Sequence, residues 1–187
     1  VVKVKQQELL NMGDPNVLVN FINYAYDNYK SDKYDLIIWN HGGAIFGSEN
    51  DDLSGDFLSL TEMKDAMSKT KFNKDNKIET LIFRTCLNGT IELANVFKDY
   101  AKYMVASEEV TYGFKDYFGN SSTFKFLNDA DLGANGYDFG LKFIDNYREI
   151  MRAKTGLTEY YSTYSIIDLS KIDKLNRDIN NFFKGID

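Results

Sequence analysis

The stretch YDLIIWNHGG, residues 34–43, decides the fold. Its apolar run over 34–39 predicts a strand with both faces buried, as in a parallel sheet. A second run, IETLIF at 78–83, predicts another buried strand. Apolar residues recur at helical spacing between and after these strands. Because strands that alternate with long helices imply crossover connections, the sequence predicts an α/β fold with a mainly parallel central sheet.

The other elements follow from the same periodicity and from turn-forming residues. Helices are predicted from Asp14 and Pro15 to Tyr29, over 61–69, 89–100 and 137–151, and from Asp168 or Ser170 onward. Further strands are predicted over 103–106 and 161–167. Residues 42–59 predict a long loop, and 108–135 are rich in turns and aromatic residues. Long loops inside compact domains are usually functional or mobile.

Composition and charge exclude several classes of protein. The chain has 187 residues, 43% hydrophobic and 27% charged, which is ordinary for a soluble globular domain. No apolar run approaches the roughly 18 to 20 residues that cross a bilayer, so no membrane span is expected. The 22 basic residues are scattered and outnumbered by 28 acidic ones. Nucleic acid is therefore not an expected partner.

Two reactive side chains follow the two predicted buried strands. His41 comes directly after the first strand and precedes Gly42 and Gly43, and Cys86 comes directly after the second. Ligands of parallel sheets bind beyond the carboxyl ends of the strands, where these residues are expected to meet. A thiol near a helix N-terminus favours the thiolate, an imidazole donates a proton, and glycine N–H groups approach an oxyanion closely. These parts suffice for acyl transfer, although a lone Cys is often a buried apolar residue and a lone His is often structural.

Ordered blocks of sequence resemble the clostripain-like (C11) cysteine peptidases. The blocks are NMGDP at 11–15, WNHGG at 39–43, CLNG at 86–89 with Glu92, VASEE at 105–109 and YSIIDLS at 164–170. The resemblance implies a caspase-like α/β/α sandwich that forms one catalytic domain over 1–187, without the family's first strand and helix. It also implies a bacterial zymogen, secreted or in the cell envelope, that hydrolyses peptide bonds.

The same resemblance implies a Cys-His dyad and no required cofactor. Cys86 would attack the scissile carbonyl and form an acyl-enzyme, while His41 would protonate the leaving amine. The backbone N–H groups of Gly42 and Cys86 would hold the oxyanion. Thr85, Ser107, Glu108 and Glu109 are further candidates for contact with the peptide or protein substrate.

Arg84 departs from the family pattern. The family usually has Asp at this position, two residues before the nucleophile, where it helps to bind a basic P1 side chain. A guanidinium repels such a side chain, so an acidic or otherwise non-basic P1 preference is expected. The alternative is a structural ion pair of Arg84 with Glu108 or Glu109, which would leave the pocket neutral.

The segment between His41 and Cys86 departs in a second way. Family members commonly self-cleave there after a basic residue, yet residues 42–63 contain no Lys or Arg. Self-cleavage is instead expected at Asp51, Asp52 or Asp56. The acidic residues of 49–52 also leave calcium open as a candidate cofactor, although the spacing lacks an EF-hand pattern and a solvated loop is the alternative.

Two rival functions remain open at this point. One is a caspase-like binding or adaptor domain with little or no catalysis, which the Arg84 departure favours. The other is a flavodoxin-like nucleotide or flavin binder, which fits the sheet pattern but lacks a phosphate-binding glycine loop after the first strand. The oligomeric state is left open.

Overall fold

The computed structural model describes residues 9–112, 122–156 and 163–186. Its helices are α1 Pro15–Asn28, α2 Leu60–Ser68, α3 Ile91–Phe97, α4 Gly136–Thr155 and α5 Ile172–Lys184. Its strands are β1 Asp35–Ile38, β2 Gly47–Asp51, β3 Asp56–Ser59, β4 Ile78–Phe83, β5 Ala101–Ser107 and β6 Tyr164–Asp168. None of these helices is long and apolar enough to cross a bilayer.

Four strands form the central sheet in the order β1-β4-β5-β6. β1, β4 and β5 run parallel, and β6 runs antiparallel to β5. Every residue of β4 is buried, as expected for a strand covered on both faces. The prediction of a mainly parallel sheet is confirmed.

Helices cover both faces of this sheet. One face packs the apolar sides of α1, α2, α3 and α5 against alternate strand residues such as Leu81 and Phe83. The opposite face packs α4 and the turn at Lys125–Asn128 against the intervening residues Ile82 and Val105. This alternation is the period of two that a β-strand imposes, and it produces three layers, α/β/α.

Capping side chains fix the helix starts. Asp14 accepts the backbone N–H of Asn16 and Pro15 opens α1, as the sequence predicts. Ser59 and Glu62 form a capping box at the start of α2. Thr90 caps α3, which is shorter than the predicted helix over 89–100. A 3-10 turn at Leu169–Lys171 comes before α5, so that helix begins at Ile172 instead of Asp168 or Ser170.

The predicted loop over 42–59 is wrong at 47–51 and 56–59, which form strands. A 3-10 turn at Ala44–Phe46 leads into β2 and β3, which pair antiparallel with an irregular register. The sequence GSEND of β2 has no apolar alternation, because this strand buries the polar residues Ser48 and Glu49. Backbone pairing therefore forms this hairpin, and Leu58 of β3 anchors it in the core. Residues 113–121 of the turn-rich segment and 161–162 of the last predicted strand lie outside the described residues.

Candidate active site

The parallel pairing of β1 and β4 brings the His41 and Cys86 segments together. Ile38 and Phe83 are register partners at the strand ends, so both segments leave the same edge of the sheet. They touch at Gly42, because a Cβ on this residue would lie 2.0 Å from the Cys86 carbonyl oxygen. Glycine is required here by close approach of the backbone.

Cys86 is half-buried and lies against Thr111. Its Sγ accepts the Thr111 backbone N–H at 3.3 Å and lies 3.7 Å from the Thr111 hydroxyl oxygen. The next residue, Leu87, has φ 61°, a left-handed conformation that is unusual for a side chain of this size. Its N–H reaches the Glu109 carbonyl at 3.3 Å. The thiol is therefore held at a strained turn, a feature that concentrates at functional sites.

His41 is exposed and its backbone is tied to neighbouring residues. Its N–H donates to Asn40 Oδ1 at 2.7 Å, and its carbonyl accepts the Ser48 hydroxyl and the Glu49 N–H, each at 3.0 Å. An open cleft of about 440 Å³ adjoins the imidazole. The cleft is lined by His41, Gly42, Gly43, Ser48, Asn50, Asp52 and Phe57.

Two backbone N–H groups at the contact between the segments have no acceptor among the described residues. They belong to Gly42 and Cys86, whereas the adjacent Gly43 donates to the Gly47 carbonyl at 2.9 Å. Unused N–H donors at the ends of adjacent strands can bind a developing negative charge.

Arg84 is 3% exposed and is surrounded by uncharged groups. Nε donates to the Thr123 hydroxyl at 3.5 Å, one terminal nitrogen donates to the Thr111 hydroxyl at 3.1 Å, and the other donates to the Tyr112 carbonyl. The guanidinium carbon also lies 5.0 Å from the centre of the Tyr147 ring. Hydrogen bonds and a cation-π contact therefore take the place of a counterion.

The predicted alternative for Arg84, an ion pair with a glutamate, is wrong. Glu108 and Glu109 are both exposed, and Arg84 has no carboxylate partner in the part of the chain that the structure describes. The positive charge of Arg84 is therefore met only by neutral groups of the described residues.

Tyr164 adds an unpaired hydroxyl beside this guanidinium. The hydroxyl is fully buried and makes no hydrogen bond to a described residue, although Arg84 and Thr111 lie close to it. Burial raises the pKa of Tyr164, so the phenol stays neutral and available as a donor. Sequence reasoning missed Thr111, Tyr147 and Tyr164 at this position, because they come from separate parts of the chain.

The other predicted substrate-contact residues lie at the same edge of the sheet. Thr85 follows β4 and Ser107 ends β5, its neighbour, and both are buried. The Ser107 hydroxyl lies 3.3 Å from that of Thr163. Glu108 and Glu109 follow directly, and the Glu109 N–H donates to Thr163 at 2.9 Å. The structure thus gathers these residues near Cys86, with only the glutamates exposed.

The acidic residues expected at a cleavage or calcium site lie in the β2–β3 hairpin. Asp51 accepts backbone N–H groups of Met12, Ser54 and Leu53, and these bonds lower its pKa. Asp56 accepts the Asn11 amide at 2.7 Å, and Asp52 accepts the Asn50 amide. The described ranges contain no group of three or more His, Cys, Asp or Glu side chains arranged to hold a metal ion. Calcium dependence stays a prediction.

Glu49, the first of the acidic residues considered for calcium, is buried and does not lie in a solvated loop. Its φ is 61°, it is 8% exposed, and its Oε1 has no hydrogen-bond partner in the described residues. Burial raises its pKa to about 7. The side chain borders an apolar cavity of about 240 Å³ between α1 and the outer edge of β1. The other lining residues include Met12, Leu18, Phe21, Trp39 and Leu58.

A sequence model of the clostripain family matches residues 1–186. The chain belongs to the clostripain family. It is 28% identical over 208 residues to clostripain of Hathewaya histolytica, an alignment that covers 91% of this chain and 38% of clostripain. The predicted family is therefore confirmed.

Solved structures of C11 proteases share the fold. A secreted C11 cysteine protease from Bacteroides thetaiotaomicron, in complex with an irreversible peptide inhibitor, superposes with a TM-score of 0.64 at 19% identity. That match covers 87% of this chain and 47% of the neighbour. An inactive zymogen C11 protease from Parabacteroides distasonis gives 0.64 at 17% identity over 94% of this chain and 45% of its own. The predicted caspase-like fold is confirmed, and the chain spans less than half the length of these clostripain-family relatives.

Proposed function

We propose that this chain carries the catalytic core of a cysteine endopeptidase that uses Cys86 and His41. The contact between Gly42 and the Cys86 carbonyl carries this proposal, because it joins the two reactive segments at one edge of the sheet. The open cleft beside His41 supplies room for a peptide. Membership of the clostripain family supports the same chemistry.

In the proposed reaction the Cys86 thiolate attacks the scissile carbonyl carbon and forms a C–S bond. The carbonyl π electrons move to the oxygen, whose charge the N–H groups of Gly42 and Cys86 stabilise. Collapse of this intermediate breaks the C–N bond, and His41 gives its proton to the departing amine. Water then attacks the thioester with His41 as the base, which releases the acid product and restores the thiol.

The proposed substrate has an acidic or otherwise non-basic P1 residue. The Arg84 guanidinium has no carboxylate partner among the described residues, and the buried Tyr164 hydroxyl beside it lacks an acceptor. A substrate carboxylate would accept hydrogen bonds from both groups and neutralise the buried charge. A lysine or arginine in P1 would meet a like charge.

Self-cleavage of a zymogen is proposed at an acidic residue of the β2–β3 hairpin. Asp52 is the best candidate, because residues 52–55 are exposed, whereas Asp51 and Asp56 hold the hairpin through their hydrogen bonds. An Asp52→Asn variant should stay uncleaved while wild type is cut between residues 52 and 53, as read by mass spectrometry. Normal cleavage of Asp52→Asn would exclude this position. Secretion or attachment to a bacterial cell envelope is also proposed, by analogy with the secreted relative.

Covalent labelling tests the peptidase proposal. The protein is treated with two peptide acyloxymethyl ketones that differ only in P1, one with Asp and one with Lys, and the modified residue is identified by mass spectrometry. We expect Cys86 to be labelled faster by the Asp probe, and labelling to vanish in Cys86→Ala and to slow in His41→Ala. Faster labelling by the Lys probe would overturn the P1 proposal alone. No labelling of processed protein by either probe would instead support the non-catalytic adaptor domain.

A further inference from the structure

Asn88 is the only side chain that bonds across the two reactive segments among the described residues. It is fully buried, two residues after Cys86. Its Nδ2 donates to the carbonyls of Gly47 at 3.2 Å and Ala44 at 3.4 Å. Both acceptors belong to the segment that follows His41. The Asn88 amide therefore connects the segment after Cys86 to the segment after His41.

The orientation of this amide is fixed from the Cys86 side. The Thr85 hydroxyl donates to Asn88 Oδ1 at 2.5 Å, which leaves Nδ2 directed at the two carbonyls. An acceptor at Oδ1 and donors at Nδ2 are both needed, and asparagine supplies both. An aspartate would instead place a carboxylate oxygen against the carbonyls.

The segment that Asn88 holds is the one that positions the imidazole. The Gly43 N–H donates to the same Gly47 carbonyl at 2.9 Å and closes the turn that begins after His41. A Cβ on Gly42 would lie 2.4 Å from Asn88 Oδ1, so the amide also packs directly against the residue beside His41. A shift of Asn88 would therefore move the whole turn relative to Cys86.

We propose that Asn88 is a positioning residue that sets the separation of His41 from Cys86. This inference rests on the proposed dyad, because it concerns the geometry in which imidazole and thiol cooperate. Asn88 touches neither substrate nor the reacting atoms, and it acts through the Ala44 and Gly47 carbonyls. A displacement of a catalytic group by about 1 Å, caused by a change away from the reacting atoms, can lower the rate by about 100-fold.

A double-mutant cycle on thiol alkylation tests this role. The rate of iodoacetamide modification of Cys86 is measured at about pH 6, where an isolated thiol is mostly protonated. The variants are His41→Ala, Asn88→Ala and the double variant. We expect His41→Ala to slow alkylation at least about tenfold in wild type and less than about twofold in Asn88→Ala, because the imidazole is then already out of place.

Peptide turnover supplies the second readout. We expect Asn88→Ala and Asn88→Asp to lower kcat by about 10- to 100-fold with little change in KM, since ground-state binding does not involve this amide. Asn95→Ala is the matched control, because that amide bonds Ile91 and Asn176 away from the site, and its kcat should be unchanged. If Asn88→Ala fails to fold, Thr85→Val removes the hydroxyl that orients the amide and should show the same kcat loss.

The outcomes separate the two proposals. In one outcome, His41→Ala alone slows alkylation, and the double variant slows it by the product of the two single effects. This outcome overturns the role of Asn88 and leaves the dyad intact. A His41→Ala variant that alkylates and turns over peptide like wild type overturns both. A loss of coupling together with the kcat loss, in variants whose Tm shows them to be folded, establishes Asn88 as the positioning residue.

Discussion

Thr111 joins Cys86 to Arg84. Its backbone N–H donates to the Cys86 sulfur at 3.3 Å, and its hydroxyl oxygen accepts a guanidinium N–H of Arg84 at 3.1 Å. One residue therefore holds the candidate nucleophile and the buried charge in fixed relation. A substitution of Arg84 that displaces Thr111 is therefore expected to shift the Cys86 side chain as well.

Replacing the Thr111 hydroxyl should destabilise the fold. Thr111→Val keeps the shape and the backbone N–H but leaves one buried Arg84 donor without its acceptor, at a cost of about 1 to 3 kcal/mol. Urea denaturation monitored by circular dichroism measures this loss. Thr111→Ser retains the hydroxyl and should lie close to wild type. Equal stability of Thr111→Val and wild type would contradict the importance of this hydrogen bond.

Arg84 should govern the choice between acidic and basic substrates. In Arg84→Gln the ratio of the labelling rate with the Asp probe to that with the Lys probe should fall by about 10- to 100-fold. This fall corresponds to the free energy of one charge-assisted hydrogen bond. The matched control is Arg148→Gln, which removes an exposed arginine paired with Asp145. Competitive labelling with both probes gives the ratio. An unchanged ratio in Arg84→Gln would show that the guanidinium is only structural.

Glu49 should make the protein less stable as pH rises from about 4.5 to 7. Its pKa is raised from 4.5 to about 7 by burial, so in this range the folded state keeps a proton that the unfolded state has lost. The free energy of unfolding therefore decreases with pH, by up to about 3 kcal/mol, and levels off above pH 7. Denaturation across this range measures the slope.

Glu49→Gln should remove this pH dependence and stabilise the protein at pH 8. The exposed Glu92 supplies the control, because Glu92→Gln should keep the wild-type slope. The same decrease with pH in Glu49→Gln would mean that another group titrates.

Gly42→Ala should abolish activity. The added Cβ would lie 2.0 Å from the Cys86 carbonyl oxygen. Because that oxygen belongs to the backbone, only separation of the two segments can relieve the clash. Loss of at least about 100-fold in kcat/KM is expected, with the central sheet intact by circular dichroism. Gly43→Ala is an adjacent control, since its added Cβ would meet its nearest neighbour, the Gly47 carbonyl oxygen, at 3.6 Å. Comparable losses in both variants would disprove the steric argument.

The apolar runs and the helix caps were sufficient to predict the central sheet and most helices. β4 was predicted at its observed bounds, because a strand buried on both faces is apolar throughout. The β2–β3 hairpin was missed, since Ser48 and Glu49 are buried without an apolar pattern. His41 and Cys86 could be placed at one edge of the sheet because each follows a recognisable strand.

The surroundings of Arg84 and Asn88 were not accessible from the sequence. Arg84 contacts hydroxyls, a carbonyl and an aromatic ring from three distant segments, so no local spacing signals the cluster. Asn88 donates to backbone carbonyls, which every residue has, so its partners cannot be recognised from their residue types. Both sets of contacts form only when segments distant in the chain come together in the folded structure.

The parallel pairing of β1 with β4 also has a consequence for biosynthesis. The ribosome synthesises His41 before Cys86. The nascent chain therefore contains the His41 imidazole without the Cys86 thiol until β4 and the residues after it have been made. The two segments come together only after β4 has been made and has paired with β1, and β5 and β6 follow later in the chain. Under the proposed function, a nascent chain that ends before β4 would lack the dyad and could not cleave itself.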